Sequence, residues 1–214
     1  MEPAGERIRA AALGLFAERG FHGTGIRDLA ERAGLSSATL YHYMGTKEDL
    51  LVRIMRESLE RLLAAGRQVA LDDPPAERVA GLVHIHVLTH ATWRLETRVV
   101  DGEMRALSAP RHREIVALRD DYEALWQQAI EAGHRSGVFA VHAPQVARLA
   151  LLEMCSGVAH WYQPQGPISL EDLALRYAEM ALGLLGAQPI GPASAVRSVR
   201  RSSELIAAIW PDHE

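Results

Sequence analysis

The chain holds a single cysteine, Cys155, which rules out an internal disulfide framework and fits a reducing compartment. It also lacks a long hydrophobic run. The most apolar stretch, Leu149 to Tyr162, contains Glu153 and His160 and is too short to span a bilayer. Met1 leads into Glu-Pro-Ala-Gly-Glu, not a basic and then apolar leader, so a soluble cytoplasmic protein without a membrane partner is expected. No Ser-His-Asp context, Gly-rich phosphate loop, HExxH or paired cysteines appear, which argues against an enzyme and against a cofactor. Cationic excess is missing as well. The net charge is −4, and residues 1–50 hold six Lys or Arg against seven Asp or Glu. A nonspecific nucleic-acid binder would be basic. Any DNA contact must therefore rest on a few aimed cations and helix N-termini.

What is present is ordinary globular material: 214 residues, 48% apolar and 23% charged, enough for one or two domains with a real core. Strand patterns and repeats are absent, so the fold is read as all-α. Thr24 to Lys47 carries its clearest punctuation. Thr24 is expected to cap a helix whose Ile26, Leu29, Ala30 and Ala33 form one apolar face. Gly34 stands where a left-handed residue stops that helix, and Leu35 returns to the core. Ser36 caps a second helix, SATLYHYM, with Leu40 inward and Ser37, Thr39, Tyr41 and His42 outside. Thr46-Lys47-Glu48-Asp49 opens a third, longer helix. The outline is a helix-turn-helix.

Upstream, residues 6–19 place Ile8, Ala11, Ala12, Leu15 and Phe16 on one stripe and leave Arg9 outside, toward a DNA backbone. Residues 47–71 read as a long connecting helix, and Asp72-Asp73-Pro74-Pro75 as a linker. Residues 76–98 are apolar on two sides, which marks a central helix. Further helices are read at 111–136, 144–162 and 169–185, and one amphipathic helix in the tail. The segments at about 145–163 and 169–187 are apolar beyond the needs of one subunit, which predicts a homodimer interface.

Gly20-Phe21-His22-Gly23-Thr24, Ile26-Arg27-Asp28-Leu29-Ala30, Ala33-Gly34-Leu35-Ser36, Leu40-Tyr41-His42-Tyr43 and Lys47-Glu48-Asp49-Leu50-Leu51 together resemble the TetR family of bacterial repressors. The likeness covers roughly residues 6 to 55 and departs at Met44, where the family usually carries Phe; both are apolar and adaptable. VVDGEMRAL (99–107), RDDYEALW (119–126), AGHRSGVF (132–139) and WYQPQGPIS (161–169) resemble the effector domain of repressors controlling steroid and fatty-acyl catabolism. That second resemblance implies an acyl-CoA thioester as effector. The expected organisation is a helix-turn-helix DNA-binding domain at 1–47, running into the connecting helix to about 55. An effector-binding and dimerisation domain follows at 48–187, then a tail at 188–214.

A helix in the major groove needs short donors and acceptors at its surface. Ser37, Thr39 and His42 supply them, and Ala38 can meet a thymine methyl. Tyr41 and Lys47, with Thr24 and Arg27, suit phosphates. Ser36 and Tyr43 complete the set that the resemblance places at double-stranded operator DNA. In the C-terminal part, His86, His90, Trp93, Met104, Tyr122, Trp126, Met154 and Trp161 are candidates to line a bulky apolar effector pocket. Two residues on a helix turn about 200°, so His84 faces away from His86, whereas His86 and His90 share a face. That pair admits three readings: pocket-lining polar groups, satisfied core histidines, or metal ligands completed by Asp101, Glu103 or Glu153. The overall reading is a ligand-responsive homodimeric repressor. Alternatives are the same DNA-binding fold answering to a non-CoA hydrophobic ligand or a metal, and more remotely a helical enzyme or partner-binding protein.

Overall fold

The computed structural model describes residues 3–69 and 73–210. Among them are eleven α-helices, one 3₁₀ turn and no strand, so the all-α expectation is met. The helices are α1 (Ala4–Arg19), α2 (Ile26–Ala33), α3 (Ser37–Met44), α4 (Lys47–Arg67), α5 (Pro75–Thr92), α6 (Arg94–Gly102), α7 (Ala109–Arg135), α8 (Pro144–Ser156), α9 (Val158–Trp161), α10 (Leu170–Leu184) and α11 (Pro192–Ile209). The 3₁₀ turn spans Met104–Ala106. No helix among the described residues is long and apolar enough to cross a membrane. Two compact units are present: the chain up to Leu59 together with Leu95–Leu118, and Glu60–Arg94 together with the chain from Arg119 onward.

In the first unit the stripe Ile8, Ala11, Ala12, Leu15 and Phe16 of α1 is buried against Leu29, Ala30 and Ala33 of α2 and Leu40 and Met44 of α3. Gly34 adopts φ 64°, and the N–H of Leu35 bonds the Ala30 carbonyl at 2.9 Å, which stops α2 as expected. The Ser36 hydroxyl accepts from Thr39 N–H at 3.1 Å and opens α3. A reciprocal pair, Thr46 N–H to the Asp49 carboxylate at 3.1 Å and Asp49 N–H to the Thr46 hydroxyl at 3.0 Å, opens α4. Thr24 differs from expectation. Gly25 occupies the N-cap of α2, and its N–H is held by Asp28 at 2.9 Å. The Thr24 hydroxyl turns inward and donates to the carbonyls of Gly20 at 2.9 Å and Leu15 at 3.3 Å. The end of α1 leaves carbonyls without helical partners, and a buried hydroxyl one tight turn later satisfies them.

The first unit also contains a segment far away in sequence. Val99, Val100, Leu107 and Ile115 join its core. Ion pairs and hydrogen bonds hold the same segment: Arg9 bridges Glu57 at 2.8 Å and Glu96 at 2.7 Å. Arg111 meets Asp49 at 2.9 Å, Arg56 pairs with Glu114, and Glu48 accepts the Ser108 N–H at 2.6 Å. Arg9 is thereby removed from the outward position expected of it. The bridge consumes its guanidinium on two carboxylates, one of them buried.

In the second unit α5 is the centre. Every side chain from Val79 to Ala91 is buried, and α8, α9, α10 and α11 all pack on this helix. The helix begins with Pro75 in its first turn, where a missing N–H costs nothing. It stops at Trp93, so the stretch expected as one segment over 76–98 is divided between α5 and α6. Of the expected linker, Asp72 lies outside the described residues. The Ser169 hydroxyl accepts from Asp172 N–H at 3.1 Å and opens α10, and the tail forms α11, with Val199, Ser202 and Ile206 buried.

Candidate functional site

Two groups of residues stand out, one in each unit. In the first, α3 is anchored by Leu40 and Met44, both fully buried, which turns its opposite face outward. Arg27, Ser36, Ser37, Ala38, Tyr41, His42 and Tyr43 are exposed, and Thr39 is half-buried with its hydroxyl 2.8 Å from that of Ser36. Tyr41 and Tyr43 leave 53% and 48% of their surface open, large values for aromatics with no partner in the core. Arg53, which the sequence pattern did not single out, donates to the Tyr43 and Met44 carbonyls and closes the C-terminal end of α3. Ser37, Ala38, Tyr41 and His42 therefore present short hydroxyls, a methyl, a phenol and an imidazole on one face of α3, and Tyr43, two residues beyond Tyr41, points away from that face.

Two expected members behave otherwise. Thr24 is buried, and its side chain cannot reach a phosphate. Lys47 is half-buried and donates to the carbonyls of Phe21 and Thr24, both at 2.7 Å, with its ammonium 4.2 Å from the Phe21 ring centre. Burial lowers its pKa from the ordinary 10.5. Two of its three protons thus organise the turn between α1 and α2, and the third remains for an outside acceptor.

In the second unit a polar group lies inside the core. His86 Nδ1 is 3.2 Å from the Tyr122 hydroxyl, and Nε2 is 3.0 Å from the Ser156 hydroxyl. The His90 ring stacks on His86 at 3.9 Å with 12° between planes, and its Nδ1 lies 2.9 Å from the His86 carbonyl. Trp126 stands edge-on to His86, fully buried, with its indole N–H unpartnered. Burial, then the neighbouring His90 and Arg119, hold His86 well below the ordinary 6.5, so it is a neutral imidazole. Burial likewise pushes the Tyr122 hydroxyl far above 10. His86 and Tyr122 can exchange hydrogen bonds but carry no charge of their own.

Four expected pocket residues, His86, His90, Tyr122 and Trp126, are thus brought together. Trp93 instead stacks on Trp210 at 5.4 Å, and Trp161, half exposed, stacks on Tyr177 at 6.4 Å. Met154 is half-buried against the second core. Met104 belongs to the first unit, because the segment that carries it is held there by Glu96, Ser108, Arg111 and Glu114. Ser156 completes the His86 group and was not foreseen, since nothing local marks a serine 70 positions away as its partner. His84 faces away from His86, as its spacing requires. Its Nδ1 lies 3.1 Å from the Ser198 hydroxyl of α11, and its Nε2 is buried and unpartnered. Among the described residues no three His, Cys, Asp or Glu side chains converge as a metal ion would need. Both His86 nitrogens already face hydroxyls.

Comparison with known proteins finds one family match on each side of the chain. Residues 8–54 match the family described as bacterial regulatory proteins, tetR family, and residues 72–185 match the tetracyclin repressor-like C-terminal domain. The HTH-type transcriptional repressor KstR2 of Mycobacterium tuberculosis is 29% identical over 184 residues, 84% of this chain and 90% of the relative. A regulatory protein of the tetR family from Rhodococcus RHA1 superposes with a TM-score of 0.80 at 31% identity, covering 88% of this chain and all of that one. AibR, solved with isovaleryl coenzyme A and operator DNA, shares the fold with a TM-score of 0.74 at 24% identity, over 87% of this chain and 100% of its own.

Proposed function

This chain belongs to the tetR family of bacterial regulatory proteins, and on that premise we propose that it is a ligand-responsive transcriptional repressor that grips a pseudo-palindromic operator as a homodimer. The observation that carries the reading is the outward face of α3, with Ser37, Ala38, Tyr41 and His42 exposed while Leu40 and Met44 fix the helix from behind. Such a face offers base edges short donors, acceptors and a methyl, and offers phosphates the Tyr41 hydroxyl and the Arg27 guanidinium. We assign DNA reading to residues 1–47 with the start of α4, effector binding and dimerisation to 48–187, and an accessory helix to the tail at 188–214. A regulator of this kind works in the cytoplasm, where its operator lies.

For the homodimer, Val146 and Leu149 on α8, Trp161 on α9, and Met180 and Leu184 on α10 are each about half exposed or more in the single chain. Apolar side chains so placed favour a second copy through the segments 145–163 and 169–187. Two copies then present two α3 helices to successive major grooves about one turn apart. For the effector, the buried His86, Tyr122, Trp126 and Ser156 group supports an apolar molecule with a few hydrogen-bonding atoms. KstR2 is a repressor and AibR was solved with isovaleryl coenzyme A, which makes acyl-CoA thioesters the first class to try. A ligand that prefers a dimer with mis-spaced reading heads lowers operator affinity by its differential binding, roughly ten- to a hundred-fold.

Selection of bound duplexes from a random library, repeated with a panel of acyl-CoA thioesters, tests both halves. An enriched palindrome abolished by one thioester is the expected result, and Trp126→Ala should blunt that response while sparing the palindrome. A palindrome indifferent to every thioester removes the effector class, and no enrichment at modest salt removes the repressor.

A further inference from the structure

We propose that the small cleft between α4, α5 and α7 in the second unit binds the anionic end of an amphipathic molecule, a compact apolar or planar group bearing a carboxylate or phosphate. The cleft holds roughly 130 Å³. An apolar cavity of about 150 Å³ is known to take up benzene, so one ring-sized group fits here. Gly66, Val69, Leu82 and Leu125 supply its apolar lining, and Arg67, Arg78 and Gln128 its polar lining. Among the described residues these two cations are weakly engaged. Arg67 approaches Asp121 only at 3.8 Å, with both side chains more than half exposed, a pairing worth little in water. Arg78 has no carboxylate partner among the described residues. Two arginines lining a largely apolar cleft match a carboxylate or phosphate and repel an ammonium of the same shape.

The cleft is also tied to the buried polar group. A Cβ on Gly66 would stand 2.8 Å from Leu125 Cδ1 and 3.2 Å from Tyr122 Cε2, so the α4 backbone lies directly against the Tyr122 ring. The hydroxyl of that ring meets His86. The inference therefore rests on the effector reading above and adds to it: the effector's charged end docks at Arg67 and Arg78, and Gly66 stands between the cleft and Tyr122. Either a free aryl or short acyl acid, or the nucleotide end of a CoA thioester, carries this chemistry.

Phenylacetate, 2-phenylethanol and 2-phenylethylamine share a ring and differ in charge, and their binding to the full chain can be compared by ligand-observed NMR. Phenylacetate should bind about ten-fold more tightly than the amine, and Arg67→Gln with Arg78→Gln should remove that preference while leaving the alcohol unchanged. Adenosine 3′,5′-bisphosphate, added as a competitor, assigns the site to the nucleotide end if it displaces phenylacetate and to a free acid if it does not. Equal affinity for the three ring compounds, with no bisphosphate binding, would overturn the proposal, as would a double variant that keeps the preference. Operator selection run on the same preparations separates this outcome from failure of the repressor reading. Loss of the palindrome with the anion preference intact discards only the repressor.

Discussion

Lowering the pH from 7.5 to 5 should weaken the second unit through two histidines of α5. His84 has no surface open to solvent and His86 almost none. Burial drives His84 from the ordinary 6.5 down to about 4 and His86 well below 6.5. In the unfolded chain both imidazoles return to about 6.5, so between that pH and the folded value the unfolded state binds more protons than the native state. The stability is complete above 6.5 and is lost as pH falls toward the folded value. At pH 5 the unfolded imidazole is almost wholly protonated and native His84 almost wholly neutral, a difference of about 2 kcal/mol for this one residue. His86 contributes up to a similar amount, so the pair removes roughly 4 kcal/mol from a domain whose stability is on the order of 5–15 kcal/mol. Glu48, Asp49 and Glu114 are held low by Ser108, Thr46 and Arg56 respectively and stay outside this window. Their contribution is present above their ordinary values, 4.5 or lower, and is lost only as pH drops through the depressed folded ones. Urea unfolding at fixed protein concentration, followed by circular dichroism and tryptophan fluorescence at four pH values from 7.5 to 5, reads the effect directly. His84→Met should remove about half of the pH slope. Stability constant within about 0.5 kcal/mol over that range, or a His84→Met slope equal to the parent's, would refute the reasoning.

Lys47→Met removes two charge-assisted bonds to the Phe21 and Thr24 carbonyls and should cost about 1–2 kcal/mol of stability as well as operator affinity. The exposed Tyr41→Ala should lose affinity alone, and thermal melts that leave Lys47→Met unchanged would return Lys47 to a purely phosphate-facing role. Gly133→Ala drives a Cβ into the buried Phe139 ring, closer than real Cβ atoms approach a neighbour. Displacing that ring costs about 3–5 kcal/mol against a helix gain of about 1, which predicts a melting point lower by about 5–15 °C. A melting point at or above the parent's contradicts that contact. In the homodimer proposed above, Leu149→Glu should leave only monomer in sedimentation without loss of helical signal, and a mass equal to the parent dimer's contradicts an interface through α8.

Local signals carried the reading wherever the cause was local. Gly34 at a left-handed stop, Ser36 and Ser169 accepting from the third residue inward, and the Ile8 to Phe16 stripe are decided within a few residues of themselves. The i,i+4 rule alone paired His86 with His90 and turned His84 away. Reading failed where a distant partner decided the matter. Thr24 sits at a position where a cap is reasonable, but the open carbonyls of α1 claimed its hydroxyl. Arg9 has an outward-looking place on its stripe, yet Glu96, 87 positions on, bends it inward. Met104 looked like pocket lining until the carboxylates and amide around it committed its segment to the first unit. A single sequence has no periodic mark for such pairings, because the ion pairs are set by chain topology.

The burial of α5 over thirteen successive residues has a consequence during synthesis. α11, which covers part of that helix, begins at Pro192, a hundred residues after α5 has ended. Until α8, α10 and α11 have left the ribosome, α5 offers the cytosol an oily rod wet on every side, the kind of intermediate that chaperones hold and that aggregates at raised expression. Expression yield should therefore depend on α11, and a tag or truncation there is an intervention in the folding of α5.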